Sequence, residues 1–298
     1  MKDKILAWLV VRVLKMLARL SYASTQKLGR LIGRVLWWGD SSLTRVTKVN
    51  VELAFPELNQ EQQQELIKAS LTETAKLFCE FGAMWEWPTE KALGLVRSVE
   101  GKELFDMALA QKKGLIVLAP HHGNWELVGL YLSTLRPMAA LYRPPKIKPL
   151  EDYMSAVRGR HGSELVPTTK RGVVRLFSIL RENGMVGILP DQVPGGSGGI
   201  FAPFMGVESN TIKLVSRLIE KTDCLVVSLV AMRRADGTGF DMIFRKADPE
   251  IYSSDLLTSV SAMNRSVEAC VRDRPEQYQW EYKRFKDARK GSRHTYGP

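Results

Sequence analysis

Cysteine is scarce in this sequence: Cys79, Cys224 and Cys270 are the only three in 298 residues, and none are spaced as Cys-x-x-Cys. That excludes a disulfide framework and a zinc knuckle and points to a reducing compartment. Histidine is nearly as rare, with four residues, so groups able to exchange a proton near neutral pH are easy to locate. The run Pro194-Gly195-Gly196-Ser197-Gly198-Gly199 is not followed by Gly-Lys-Ser/Thr, which excludes a P-loop and leaves a mobile loop as the expectation. Internal repeats, low-complexity tracts and linkers are missing as well. Acidic residues are outnumbered 43 to 32 by lysine and arginine, a net charge of +11 that favours anionic partners. Nucleic acid is set aside, because no recognised motif and no stripe of interleaved basic and aromatic residues accompanies the charge. Anionic lipid headgroups, phosphorylated glycolipid and an acidic carrier protein remain.

What the sequence does contain is an α/β pattern behind a helical start. Residues Ile5–Leu20, with Lys4 just before them, place Lys4, Trp8, Arg12, Lys15 and Arg19 along one side and leucines and valines over the rest. Three basic residues make this a poor spanning segment, and a signal peptide would keep its apolar core uncharged. The spacing predicts an amphipathic helix over residues 1–22 lying in a membrane interface, with a core-packed first helix as the alternative. The pattern stays helical to about residue 97, with Asn59 as an N-cap. From Val99, strands are expected at 115–119, 138–142, 164–166, 185–189, 225–232 and 240–245. Helices fall between them: 102–112, 124–135, 149–159, one capped by Thr169 over 171–182 and one capped by Asn210 running to Lys221. Two more are expected at 254–272 and 276–288. The alternation predicts a single α/β domain over residues 23–298, with ligands gathering at the carboxyl ends of the strands.

At one such end stands Ala119-Pro120-His121-His122-Gly123-Asn124-Trp125-Glu126. His121 and Glu126 are about 140° apart around a regular helix, so they can meet only if His121 precedes a helix capped by Asn124. Glu126 could then accept from His121 Nδ1–H and leave Nε2 as a general base. No nucleophile of the protein's own accompanies the pair, so the activated hydroxyl would belong to the substrate. Glu126 as a helix-start acid, Asp191 as a turn acid and His122 as a packing residue are the alternatives. A metal site is not expected, since no third ligand lies nearby in sequence.

These residues and several further blocks together resemble the bacterial late acyltransferases of lipid A biosynthesis, within the glycerolipid acyltransferases marked by His-x4-Asp/Glu. The blocks are Asn50–Leu58 (NVELAFPEL), Tyr142-Arg143-Pro144, Pro190-Asp191-Gln192 with Phe201–Gly206 (FAPFMG), and Pro275–Trp280 (PEQYQW) followed by Arg284-Phe285-Lys286. The resemblance implies a central mixed sheet flanked by helices, His121 as base, and Glu126 as its orienting partner. It implies that Arg143, Asp191 and Gln192 face substrate, with Arg158 or Arg160 as a further contact, and that no cofactor or metal takes part. It further implies an acyl carrier protein thioester as donor, an anionic lipid A precursor as acceptor, and the cytoplasmic face of the bacterial inner membrane as the place of work. A lysophospholipid or other glycolipid acceptor, or a non-catalytic relative that keeps the fold, are the alternatives.

Overall fold

The computed structural model describes residues 2–145, 147–160, 162–286 and 296. Helices α1 (Lys2–Leu17), α2 (Tyr22–Trp38), α3 (Ser42–Ala54), α4 (Gln60–Glu86) and the short α5 (Thr89–Leu93) lead the chain. Ser21, Ser41 and Asn59 each accept a first-turn backbone N–H, and Asn59 with Gln62 forms a capping box. α2 lies tightly on α4, because a Cβ at Gly29 or Gly33 would stand 2.6 Å from the Cα of Lys76 or Thr72.

Strands and helices then alternate: β1 (Val96–Glu100), α6 (Lys102–Ala110), β2 (Leu115–Leu118), α7 (Trp125–Leu135), β3 (Met138–Tyr142), α8 (Lys148–Gly159), β4 (Glu164–Pro167), α9 (Lys170–Arg181) and β5 (Met185–Ile188). A hairpin, β6 (Gly199–Phe204) and β7 (Val207–Ile212), precedes α10 (Leu214–Thr222), β8 (Leu225–Arg233), β9 (Phe240–Lys246) and α11 (Leu256–Asp273). The seven-stranded sheet has the order β1-β9-β8-β2-β5-β3-β4. It is parallel from β8 to β4, while β9 pairs antiparallel with β8. The expected α/β architecture with a mixed central sheet is therefore present.

Both faces of the sheet are covered, so the central strands β2 and β5 are buried throughout and read as continuous apolar runs broken only by Gly187. Leu115 and Val117 point to one side, against Phe105 of α6, Leu127 of α7 and Met84 of α4. Ile116 and Leu118 point to the other, against Leu176 of α9, Val215 of α10 and Val260 of α11. α1 joins the first layer through Leu14. Its outer side leaves Ile5, Leu6, Trp8, Leu9, Val13 and Met16 exposed. Among the described residues no helix is long and apolar enough to cross a membrane.

Three expectations about local structure are corrected. Val96–Glu100 is an edge strand, paired with β9, in a region that reads as the end of a helical stretch. The glycine-rich stretch makes one turn of 3-10 helix and feeds directly into the β6–β7 hairpin; Asn210 lies within β7, and α10 begins after Lys213 with no side-chain cap. Finally, no α-helix forms over the described part of 276–288, where one 3-10 turn (Pro275–Gln277) is followed by irregular chain, and residues 287 and 288 lie outside the described residues. The reason is tertiary: the Asn50 amide donates to the carbonyls of Trp280 (2.6 Å) and Tyr282 (2.7 Å), and the Trp280 indole donates to Pro275 O (2.7 Å). Carbonyls taken this way are withdrawn from helical hydrogen bonding.

Candidate active site

The register of β2 against β5 builds the site. Leu118 pairs with Ile188, and both strands then continue with a small or apolar residue, a proline and a polar residue. Ala119 N donates to Ile188 O at 2.9 Å as the last rung, after which Pro120 and Pro190 have no N–H to offer. His121 and Asp191, each three residues past its strand, therefore stand opposite one another at the carboxyl edge of the sheet. The Asp191 carboxylate accepts from the His121 backbone N–H through Oδ2 (2.8 Å) and lies 2.8 Å from Nδ1 through Oδ1.

This contact sets the tautomer. A carboxylate only accepts, so Nδ1 carries the proton and Nε2 keeps its lone pair. The Gln192 amide nitrogen lies 3.2 Å from Nε2 and donates on its other side to Gln279 Oε1 at 3.2 Å. The Asp191 side chain is 1% exposed. Burial alone would push its carboxyl up, but the His121 ring and the two N–H donors outweigh burial and hold it below the ordinary carboxylate range.

The loop carrying His121 is clamped from both sides. Gly123 N donates to Gln277 O, Asn124 N to Ala231 O of β8, and Gln279 N to His121 O. Gly123 has φ of 61°, and a Cβ there would collide with the Ala231 carbonyl, so only glycine fits. Asn124 caps α7 by accepting from Leu127 N (3.0 Å), as the spacing predicts, and its amide donates to Glu80 Oε2 at 2.9 Å. Glu80 is fully buried and pairs through both oxygens with Arg233 at 2.6 Å. Sequence reasoning missed Glu80 and Arg233, and it gave Gln277 and Gln279 no role beyond their place in the Pro275–Trp280 block. For the first pair the available signal was Glu80 itself, a carboxylate inside the apolar stretch Leu77–Phe81.

The expected contact between Glu126 and His121 is not the one the structure makes. Glu126 accepts from Arg158 Nε at 3.1 Å and also from Arg158 Nη2, and the Arg158 guanidinium lies over the Trp85 ring. Beside the imidazole stands Trp125 instead, edge-on with centroids 4.9 Å apart. One step of about 100° along the first turn of α7 separates the two directions. Asp191, expected in a substrate-facing block, is buried outside the cavity lining and contacts His121 from behind, in the place expected for Glu126. Of the two candidate arginines, Arg158 forms this ion pair at the cavity wall, while Arg160 donates to the carbonyls of Met84 and Trp87 at the same wall.

His122 is fully buried, neither ring nitrogen has a hydrogen-bond partner among the described residues, and burial pushes it down to about 3. It is a packing residue beside Tyr278. The unfolded chain protonates this histidine below about pH 6.5, whereas the folded chain resists until about pH 3. Stability is therefore lost as pH falls through that window, by up to roughly 1.4 kcal/mol per pH unit from this group. Urea unfolding of His122→Phe is expected to show a shallower decline between pH 6.5 and 4; an unchanged slope would refute the assignment.

His121 and the Gln192 side chain beside its Nε2 line a cavity of about 890 Å³. Arg143, Arg158, Arg160, Lys213, Arg217 and Gln192 contribute polar groups to its wall, which is otherwise largely apolar. Among the described residues no three His, Cys, Asp or Glu side chains are grouped closely enough to hold a metal ion. A base with a fixed tautomer above a deep apolar cavity with cations on its wall suits removal of a proton from a hydroxyl of an amphiphile that carries negative charge.

Comparison with known proteins gives the same direction. The family described as bacterial lipid A biosynthesis acyltransferase matches residues 1–287. The chain is similar to the lipid A biosynthesis lauroyltransferase of Escherichia coli K12, with 26% identity over 96% of this chain and 93% of the relative. It is also similar to the palmitoleoyltransferase of the same organism (28%, covering 94% and 91%) and to its myristoyltransferase (25%, covering 91% and 82%).

Proposed function

Since the chain belongs to the bacterial lipid A biosynthesis acyltransferase family, we propose that it moves a fatty acyl chain from an acyl carrier protein thioester to a hydroxyl of a lipid A precursor. It is an acyltransferase. The observation that carries the mechanism is the His121–Asp191 pair, which holds Nδ1 and leaves Nε2 as the basic nitrogen of a residue that lines the cavity. Nε2 takes the proton of the acceptor hydroxyl, the free 3-hydroxyl of a hydroxyacyl chain already in place. The oxygen forms its bond to the thioester carbonyl carbon, the carbon–sulfur bond then breaks, and the imidazolium returns the proton to the departing sulfur. Asp191 stays ionised throughout and offsets the imidazolium charge. Glu126 acts one step removed by holding Arg158 at the wall, where Arg143 and Arg160 supply further cationic surface for the acceptor's acidic groups.

The exposed apolar side of α1 and the Leu31, Ile32, Val35 and Trp38 side chains of α2 form the surface that rests on the membrane. Arg12, Lys15, Arg30 and Arg34 are interspersed with them and suit anionic headgroups. α1 packs against α4 and α8, both of which line the cavity, so an amphiphile leaving the bilayer has a short path to His121. The site of action is then the cytoplasmic face of the bacterial inner membrane.

The test is a transfer assay with purified full-length protein, acyl carrier protein donors and a lipid A precursor, read by mass spectrometry. Acylated precursor is expected; transfer to lysophospholipid alone would overturn the acceptor assignment. In vesicle flotation the protein is expected to bind anionic bilayers, with Trp8→Glu weakening binding several-fold; an unchanged bound fraction would place the membrane face elsewhere.

A further inference from the structure

A glycine in the middle of a helix calls for a reason, because glycine is among the poorest helix formers. For Gly29, Gly33 and Gly82 the reason is close packing, since a Cβ on each would stand 2.6 Å from a neighbouring backbone atom. Gly129, in the interior of α7, is different: beyond its own helix backbone, a Cβ there would meet no heavy atom of the described residues within 4 Å. The open space is the cavity, which Gly129 lines.

The depth of that residue can be read from two elements independently. Trp125, Gly129 and Ser133 lie at four-residue spacing on one face of α7, and all three line the cavity. Trp125 touches the His121 ring at the top, and Ser133 lies about 12 Å further along the helix at 1.5 Å per residue. α7 then turns through Arg136 and Pro137 into β3, which climbs back to the carboxyl edge of the sheet. Met138 begins β3 at the bottom and Tyr142 ends it at the top, a rise of about 13 Å at 3.3 Å per residue. Met138, Ala140 and Tyr142 share one face of the strand, and all three line the cavity. The helix and the strand thus give the same depth. Halfway down, each contributes its smallest side chain, Gly129 and Ala140. Met138 begins the strand at the bottom, and its side chain reaches up from there, with Cε in the space beside Gly187 of β5, the register partner of Ala140. Ser133 satisfies its hydroxyl on its own helix, at Leu130 O (2.7 Å), so it asks nothing polar of a ligand.

We propose that Gly129 is a specificity residue that keeps the cavity open at mid-depth, with Met138 as its floor, and that together they set the length of acyl chain accepted. This inference rests on the acyl-transfer reading above. A straight apolar chain whose carbonyl sits beside His121 Nε2 would run down between α7 and β3. A side chain at 129 cuts that path short, and a smaller residue at 138 lengthens it.

The experiment offers the full-length protein an equimolar mixture of decanoyl, lauroyl, myristoyl and palmitoyl carrier donors with the lipid A precursor, and weighs the products. Against the parent distribution, Gly129→Leu is expected to shift the ratio of shortest to longest chain transferred by about tenfold or more toward short chains, the scale on which apolar pockets discriminate methylenes. Gly129→Ala should shift it less in the same direction, and Met138→Ala in the opposite direction. Thermal melts identify any variant that has not folded, and Gly129→Ala, which adds one methyl to open space within a helix, keeps the comparison available. Folded Gly129 variants with the parent distribution would overturn the proposal. A parent protein that transfers from none of the donors would instead overturn the acyl-transfer reading beneath it.

Discussion

His121→Ala is expected to lower kcat for acyl transfer by about 10²- to 10⁴-fold, the usual contribution of a positioned general base, with little change in KM or melting temperature. His121 sits at the cavity edge on a loop whose backbone is held by Gln277, Gln279 and Ala231, so removing the ring leaves the clamp intact. Asp191→Asn is the informative companion. An amide can donate to Nδ1 and stabilise the opposite tautomer, which turns an N–H toward the substrate hydroxyl and removes the base without removing the imidazole. Its kcat should fall by a comparable factor, again with KM nearly unchanged. Glu126→Gln, by contrast, leaves the His121–Asp191 pair in place and should act mainly on KM for the acceptor through Arg158. Initial rates at saturating donor and acceptor separate these cases. A His121→Ala enzyme within tenfold of the parent would mean that the proton is taken elsewhere.

Arg233→Ala is expected to cost about 3–5 kcal/mol of folding stability, because it strands a buried carboxylate. Glu80 is fully buried, accepts from Arg233 through both oxygens, and also receives the amides of Gln26 at 2.6 Å and Asn124 at 2.9 Å. Those neutral donors do not replace the lost charge. Glu73, on the same face of α4, pairs with the remaining guanidinium nitrogen and with Lys76 at 2.5 Å. The double change Glu80→Gln with Arg233→Met should recover much of the loss, since removing both charges avoids the unpaired state. Urea unfolding of Glu80→Gln, Arg233→Met and the double variant measures this coupling. Additive effects, with no recovery in the double variant, would show that the pair is not what stabilises this contact between α4 and β8.

The most legible parts of this protein were those whose signal is local. The all-apolar run Leu115–Leu118, the cap at Asn124 and the Thr169 start of α9 depend on residues within one turn or one strand, and the structure has them where the pattern places them. The β1 strand was hidden because Val96-Arg97-Ser98-Val99-Glu100 shows no clean alternation; it is an edge strand defined by its pairing with β9. The C-terminal stretch Glu276–Lys286 has a helical spacing, yet Asn50, some 230 residues earlier, captures its carbonyls. Arg284 shows the same dependence. It is 1% exposed, donates to Asn210 O and Thr211 Oγ1, and so fastens the β6–β7 hairpin.

His121 illustrates where the division falls. The sequence alone determined that a histidine would stand past a buried strand, ahead of a capped helix, because strand end, proline and N-cap are short-range chemistry. It also determined Asp191 by the same rule at the end of another strand. Only the tertiary structure decided that these two strands lie side by side in register, so that the imidazole takes Asp191 as its partner and leaves Glu126 to Arg158. Strand order depends on how the helices cover the two faces of the sheet, and no residue near His121 carries that information. Charge and apolar pattern set the chemistry available to this chain, and the packing of β2 against β5 chose which carboxylate completes it.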